Sequence, residues 1–354
     1  MKKFLVTLLK IGISAAIIAY LVWHATRSED PDERNVFQQL LDQPKQWGVL
    51  ALACLFCASA VMLTLVRWWY LVRALEIPLR FGSAMRIGLL GYLFNLAPLG
   101  IVGGDLLKAW MLAWQHREHR AKAVASVVVD RVVGLYLLFV VASAAILLTG
   151  FWTIEGGAGL IREICVITFL VTIGGGAAIA ALLFPGVTDG RGTRALARLP
   201  RVGHTIDRLI EAIRMYRRRP AVMVISSLMS VGVHCLFAVG VYFIARGLFG
   251  RVLSLGTHFV INPLSAATGA LPLPFGPFEA LLEFFYNHVS EPGIVTQKGQ
   301  GLVVALAYRL ICILIALVGA CYYVGSRGEV AQVLREAEQE QPPEGSDHAS
   351  SAIT

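Results

Sequence analysis

Asp105, Arg131, Glu279 and Arg309 are charged residues set inside or against long apolar runs. Asp105 closes the stretch NLAPLGIVGGD (95–105) and Glu279 closes LPLPFGPFE (271–279). Arg131 lies in VVVDRVVGLYLL and Arg309 in VVALAYRLICIL. Two chemistries suit these residue types. Each guanidinium either forms an internal ion pair with Asp105, Asp130 or Glu279, or clamps a lipid phosphate through charge-assisted, often bidentate hydrogen bonds. Asp130 is a poor direct partner for Arg131, because adjacent residues on a helix face about 100° apart. The two carboxylates have their own alternatives: each stands where it could cap a helix that begins after a Gly/Pro turn. The same helix starts would aim free N–H groups and a positive dipole end at an anion.

The elements that must carry these residues follow from composition. The chain of 354 residues is 56% hydrophobic and only 15% charged, which argues against a single water-soluble core and for an integral membrane protein. A hydrocarbon layer about 30 Å thick needs roughly 20 apolar helical residues per crossing. Phe4 to Ala25, Trp47 to Val66, Ala123 to Gly150, Ile164 to Phe184, Ala221 to Ala245 and Gly299 to Gly325 meet that requirement. The first of these reads as a retained helix rather than a cleaved signal peptide, since its apolar stretch is long and no small-x-small site follows. Lys10 within it can snorkel to the interface.

Charge parity then orders the spans. Lys2 and Lys3 mark a cytoplasmic start, the acidic RSEDPDERN falls outside, and Arg67, Arg73, Arg80 and Arg86 return to the inside. A single crossing between Arg86 and Lys108 would put both QHREHRAK and the nine arginines of Pro185 to Arg219 outside, against the positive-inside bias. A re-entrant hairpin from the cytoplasm, turning at Pro98 to Gly104, removes the conflict. Residues 257–271 and 277–290 are likewise legs of about 21 Å or less, too short to cross, and read as a second hairpin entering from outside. Arg131 then lies roughly 13 Å into its helix from Lys122, and Arg309 roughly 16 Å from Lys298, approaching the midplane from opposite faces. The expected fold is an all-α polytopic membrane bundle with two re-entrant helical hairpins of opposite orientation, an inverted repeat over residues 1–326. Residues 327–354 read as a disordered cytoplasmic tail. Non-helical backbone at membrane depth must be buried or line a polar cavity, so both turns are expected to line one.

Lys108, the HREHR run and the Arg-rich 191–219 segment are candidates for anionic head groups at the inner surface, or simply positive-inside bias. The net charge of +8 flanks the spans, which points to anionic lipid surfaces and not to nucleic acid. Six cysteines fall in apolar windows as small hydrophobes, and His234, His258 and His288 have no metal-ligand spacing. No metal or cofactor is expected.

The ordered set N-x-x-P-x-G-x-x-G-G-D with a following base, V-V-x-D-R-V-x-G, P-x-P-x-G-x-x-E and a late helical Arg resembles the bacterial flippase-like family, which includes the transmembrane region of lysylphosphatidylglycerol synthase. The resemblance runs from about residue 4 to 326. It implies handling of lipids across the cytoplasmic membrane, with Asn95, Asp105, Arg131, Glu279 and Arg309 at the centre. Lys108 and Asn262 complete the candidate head-group site. Both termini are expected in the cytoplasm. Only a short acidic tail follows Arg327, so lysine transfer is not expected, and the chain is read as a translocator without catalytic residues. FGPFE departs from the Gly-rich turn common in the family. Two rival readings are an intramembrane lipid-processing enzyme and a membrane anchor for a cytoplasmic lipid-modifying enzyme.

Overall fold

In the computed structural model, the residues described are 2–26, 36–96, 103–153, 158–183, 213–271, 273 and 275–325, and none of them forms a β-strand. The helices are α1 (Lys2–Thr26), α2 (Val36–Asp42), α3 (Trp47–Ala74), α4 (Phe81–Leu96), α5 (Gly104–Gln115), α6 (Arg120–Thr149), α7 (Ala158–Leu183), α8 (Pro220–Leu248), α9 (Leu255–Ala267), α10 (Pro277–His288) and α11 (Gln300–Gly325). Five of them, α3, α6, α7, α8 and α11, are long and apolar enough to cross a membrane. Each gives roughly 40 Å at helical rise, against about 30 Å of hydrocarbon. α1 is 25 residues long and apolar over Gly12–Thr26.

The remaining helices are short for a reason visible in their sequences. α4 and α5 are separated by the Pro/Gly stretch 97–102, which lies outside the described residues together with most of the expected turn at Pro98 to Gly104. α9 starts on Ser254, whose hydroxyl accepts from the Thr257 N–H at 3.2 Å, and it contains Pro263. α10 starts on Gly276 and Pro277. Gly276 has φ of +104°, a conformation that only glycine adopts without strain, and Pro277 supplies the fixed φ of a first helical turn.

α3 and α8 form an antiparallel centre. The Gln46 N–H donates to Gly247 O at 3.0 Å at one end, and Tyr216 OH donates to Leu71 O at 2.8 Å at the other. Their axes approach closely at Gly240, where an added Cβ would lie 2.7 Å from Cys57 Sγ. Around this centre α4 packs on α5, α5 on α6 and α4 on α11, while α9 packs on α10, α10 on α11 and α9 on α6. Exchanging α4–α5–α6 with α9–α10–α11, and α3 with α8, returns the same set of neighbours. Two apolar clusters result, one around Trp68, Leu90 and Leu107 and one around Phe285, Tyr286 and Leu302. α7 is peripheral, with 11% of its apolar window buried, and leans on α6.

Contacts at the two ends of the bundle fix where the short helices begin. Glu76, just past α3, binds Arg219 at the start of α8, and Trp69 Nε1 donates to Leu79 O just before α4. At the other end, Glu291 accepts from the Ser254 N–H before α9, and an added Cβ on Gly256 would meet Thr149 at the end of α6. Arg219 holds the Glu76 carboxyl below the usual carboxylate value. Its tie is therefore complete at neutral pH and is lost only as pH falls through that lowered value.

The legs α4 and α5 cross almost backbone to backbone. A Cβ on Gly104 would lie 1.7 Å from Gly91 O, whereas Gly82, at the start of α4, has nothing within 4 Å. Gly104→Ala is expected to force the legs apart and to destabilise by about 1–3 kcal/mol or more, with Gly82→Ala near neutral. Thermal unfolding of the detergent-solubilised protein measures the difference.

Candidate functional site: two arginine–carboxylate pairs

Asp105 is the second residue of α5. Its helix is preceded by extended Gly103 with no side-chain cap, so the carboxylate is free to turn toward α6. There it forms a direct ion pair with Arg131, its Oδ2 facing Nη2. The other oxygen lies 3.6 Å from Lys108 Nζ, and the Asn95 side chain at the end of α4 lies beside Gly103 and Gly104 at the start of α5. Capping and ion pairing were alternatives for this residue in the sequence; the fold gives it the ion pair.

Glu279 does both. One oxygen accepts from the Gly276 N–H at 2.7 Å and closes the start of α10, while the other accepts from Arg309 Nε of α11 at 2.6 Å. The guanidinium lies over Phe275 and Phe278, 5.4 and 5.3 Å from the ring centroids. Cation–π attraction in a desolvated site reaches about 2 kcal/mol. Tyr308 packs its ring on Phe278 and Phe237, which fixes the floor of this pair.

The two pairs occupy corresponding places. Each joins the first turn of the second short helix to the middle of the long helix that follows it, α5 to α6 and α10 to α11. They differ in access. The side chains of Arg131 and Asp105 are 56% and 28% exposed, and those of Arg309 and Glu279 are 20% and 0% exposed. One pair is open to its surroundings and the other is closed.

A sequence profile described as the lysylphosphatidylglycerol synthase TM region matches residues 8–319, a span that contains both pairs. The chain belongs to that family. No curated protein matches it.

In this member of the lysylphosphatidylglycerol synthase TM region family, the remaining candidate residues are placed unevenly. Asn95 lies at the start of α5, next to the Asp105 pair. Asn262 is buried in α9, and the hydrogen bonds of Glu279 go to Gly276 and Arg309 instead. Lys108, expected to reach head groups at the inner surface, is instead buried beside Asp105, its ammonium 5.7 Å from the Trp68 ring centroid. It faces inward because α5 packs on α6 and buries that side of the leg.

Arg67 and Ser230 escaped the sequence reading as neighbours of the site. Arg67 was counted as a cytoplasmic flank, but α3 continues to Ala74 and carries Arg67 into the bundle, where it is buried. Its Nε binds Asp130 Oδ1 at 2.8 Å, Nη1 donates to Ser230 Oγ at 2.5 Å, and Nη2 donates to Asp130 O at 3.2 Å. This clasp joins α3, α6 and α8. The available signal was Asp130 itself, which cannot face the partner of Arg131 and so required a cation from another helix.

Other buried acids have structural work. Glu283 accepts from the Gly299 and Leu302 N–H groups at 2.6 and 2.8 Å and so caps α11. His258 is held between Ser254 O and Tyr286 OH.

Proposed function

We propose that the protein is a lipid translocator of the bacterial cytoplasmic membrane, carrying lipids with an anionic phospholipid or polyprenyl-phosphate head group. The observation that carries this reading is the pair of corresponding arginine–carboxylate contacts, one open and one closed. A mid-membrane arginine that already has a carboxylate can release it for a phosphate without ever leaving its charge unpaired.

In this reading α4–α5 and α9–α10 are re-entrant hairpins from opposite faces, with both termini in the cytoplasm. Their lengths of 12 to 16 residues support this, as does the placement of each hairpin's outer ends at one end of the bundle. The head group enters at the open pair, where Arg131 exchanges Asp105 for phosphate. Rocking of one triplet against the other about the α3–α8 centre then closes this pair and opens Arg309. Translocation needs no bond making, so the protein is proposed to act without enzymatic chemistry or a cofactor. Energy coupling, if present, runs through protonation of the carboxylate released from its arginine.

Proteoliposomes carrying a fluorescent anionic phospholipid test the proposal. Wild-type protein is expected to move the probe between leaflets. Arg131→Ala, in the open pair, is expected to slow it more than about tenfold, the equivalent of one charge-assisted hydrogen bond, with little change in unfolding temperature. Unchanged transport in both Arg131→Ala and Arg309→Ala would rule out the clamp. Folded wild-type protein that moves no lipid but binds a cytoplasmic lipid-modifying enzyme, and loses that binding when Arg217, Arg218 and Arg219 are neutralised, would favour the anchor reading.

A further inference from the structure

A cavity lies away from both ion pairs. It is an open pocket of about 460 Å³ at the end of the bundle where α3 and α11 begin and α8 ends. Three connections build it. Gln39, Gln43 and Gln46 come from α2 and the turn into α3, Gln297 and Gln300 from the approach to α11, and Arg246 and Arg251 from the α8–α9 connection. Its floor is preorganised: the Gln46 N–H donates to Gly247 O at 3.0 Å, Gln300 Nε2 donates to Arg251 O at 3.4 Å, and Gln300 Oε1 accepts from the Gln297 N–H at 3.1 Å.

The lining has a distinctive chemistry. Beside Pro44, Leu248, Phe249 and Val295 it contains five primary amides and two guanidinium groups, with no carboxylate among the described residues. Arg246 and Arg251 are exposed and form no ion pair among the described residues. Guanidinium groups without a protein carboxylate suit a phosphate or sugar-acid group. Amides, which donate and accept at once, suit an array of hydroxyls, each of which also does both. The volume falls within the range of small-molecule sites and is too large for a lone phosphate. Gln300 begins the helix whose Arg309 lies roughly 14 Å deeper, so the cavity sits above the closed pair and is separate from it.

We infer that this cavity binds a phosphorylated saccharide or polyol, either free or as the head group of a lipid. The inference concerns binding alone and stands whether or not the protein moves lipids.

Calorimetric titration of the full chain in nanodiscs of zwitterionic lipid tests it, with glucose 6-phosphate, glucose and inorganic phosphate as probes. Saturable binding of glucose 6-phosphate is expected, at least about tenfold tighter than either glucose or phosphate, since both halves of the site must be engaged. The double variant Arg246→Gln/Arg251→Gln is expected to weaken it at least about tenfold while the unfolding temperature stays unchanged, because both side chains are exposed. Nanodiscs containing an anionic glycerol-phosphate lipid separate the two sources. A weaker apparent affinity there identifies a lipid head group as the occupant, and an unchanged one identifies a free solute. No saturable binding of glucose 6-phosphate, equal binding of inorganic phosphate, or full binding by the double variant would overturn the assignment.

Discussion

Arg309→Ala is expected to be among the most damaging single substitutions in the molecule. It leaves the Glu279 carboxylate fully buried, with the Gly276 N–H as its remaining hydrogen-bond partner. Breaking a buried pair by removing one member costs about 3–5 kcal/mol, because the surviving charge is desolvated and uncompensated. Arg309→Lys is expected to recover only part of this loss. Lysine supplies the charge, but it lacks the planar face that lies over Phe275 and Phe278. The double variant Glu279→Gln/Arg309→Met removes both charges while the glutamine oxygen can still accept from Gly276. It should restore most of the stability and none of the transport. Unfolding in detergent and the proteoliposome assay, run on the same three variants, separate the structural effect from the functional one. Wild-type stability in Arg309→Ala would mean that Glu279 does not depend on this partner.

The second large effect is expected at the clasp of Arg67, Asp130 and Ser230. Arg67→Met leaves Asp130 buried without its 2.8 Å partner, and a loss of about 3–5 kcal/mol is expected here too. The difference from the Arg309 pair lies in access. This clasp is enclosed by α3, α6 and α8, and Asp130 is held by both its side chain and its backbone carbonyl. Replacing Arg67 and Asp130 together by Met and Leu is therefore expected to be near neutral for stability, as buried ion pairs exchanged for apolar groups commonly are. Lipid movement should survive that double change if the open pair is the working site. Loss of transport in a stable Arg67→Met/Asp130→Leu protein would instead place the clasp within the pathway.

Several features were legible because they are local. Apolar run length gave the long helices, and Pro and Gly at 98–104 and 272–277 marked where helices must break. The membrane cost of a charge singled out Arg131 and Arg309 before any contact was known. The alternatives for their partners reduced to Asp105 and Glu279 once the helices were assembled, and both pairs join residues no more than 30 apart in sequence. Lys108 and Arg67 were misread by the same local logic. A base near a helix end looks like a flank, but the end of α3 lies seven residues past Arg67, and α5 turns Lys108 into the bundle.

Hydropathy, turn chemistry and charge cost act along the chain within a few residues, so the order of helices and the choice of Arg131 and Arg309 as charges within apolar helices were fixed by residue type and spacing. The neighbours of those charges were not. Arg67 meets Asp130 and Ser230 across 63 and 163 residues because Gly240 lets α8 approach α3 and Gly134 leaves room beside the Arg67 guanidinium. The unequal exposure of the two pairs and the amide-lined cavity between three connections arise in the same way. Each depends on which helix surfaces come within contact distance, and that is settled by the shapes of several segments packing at once.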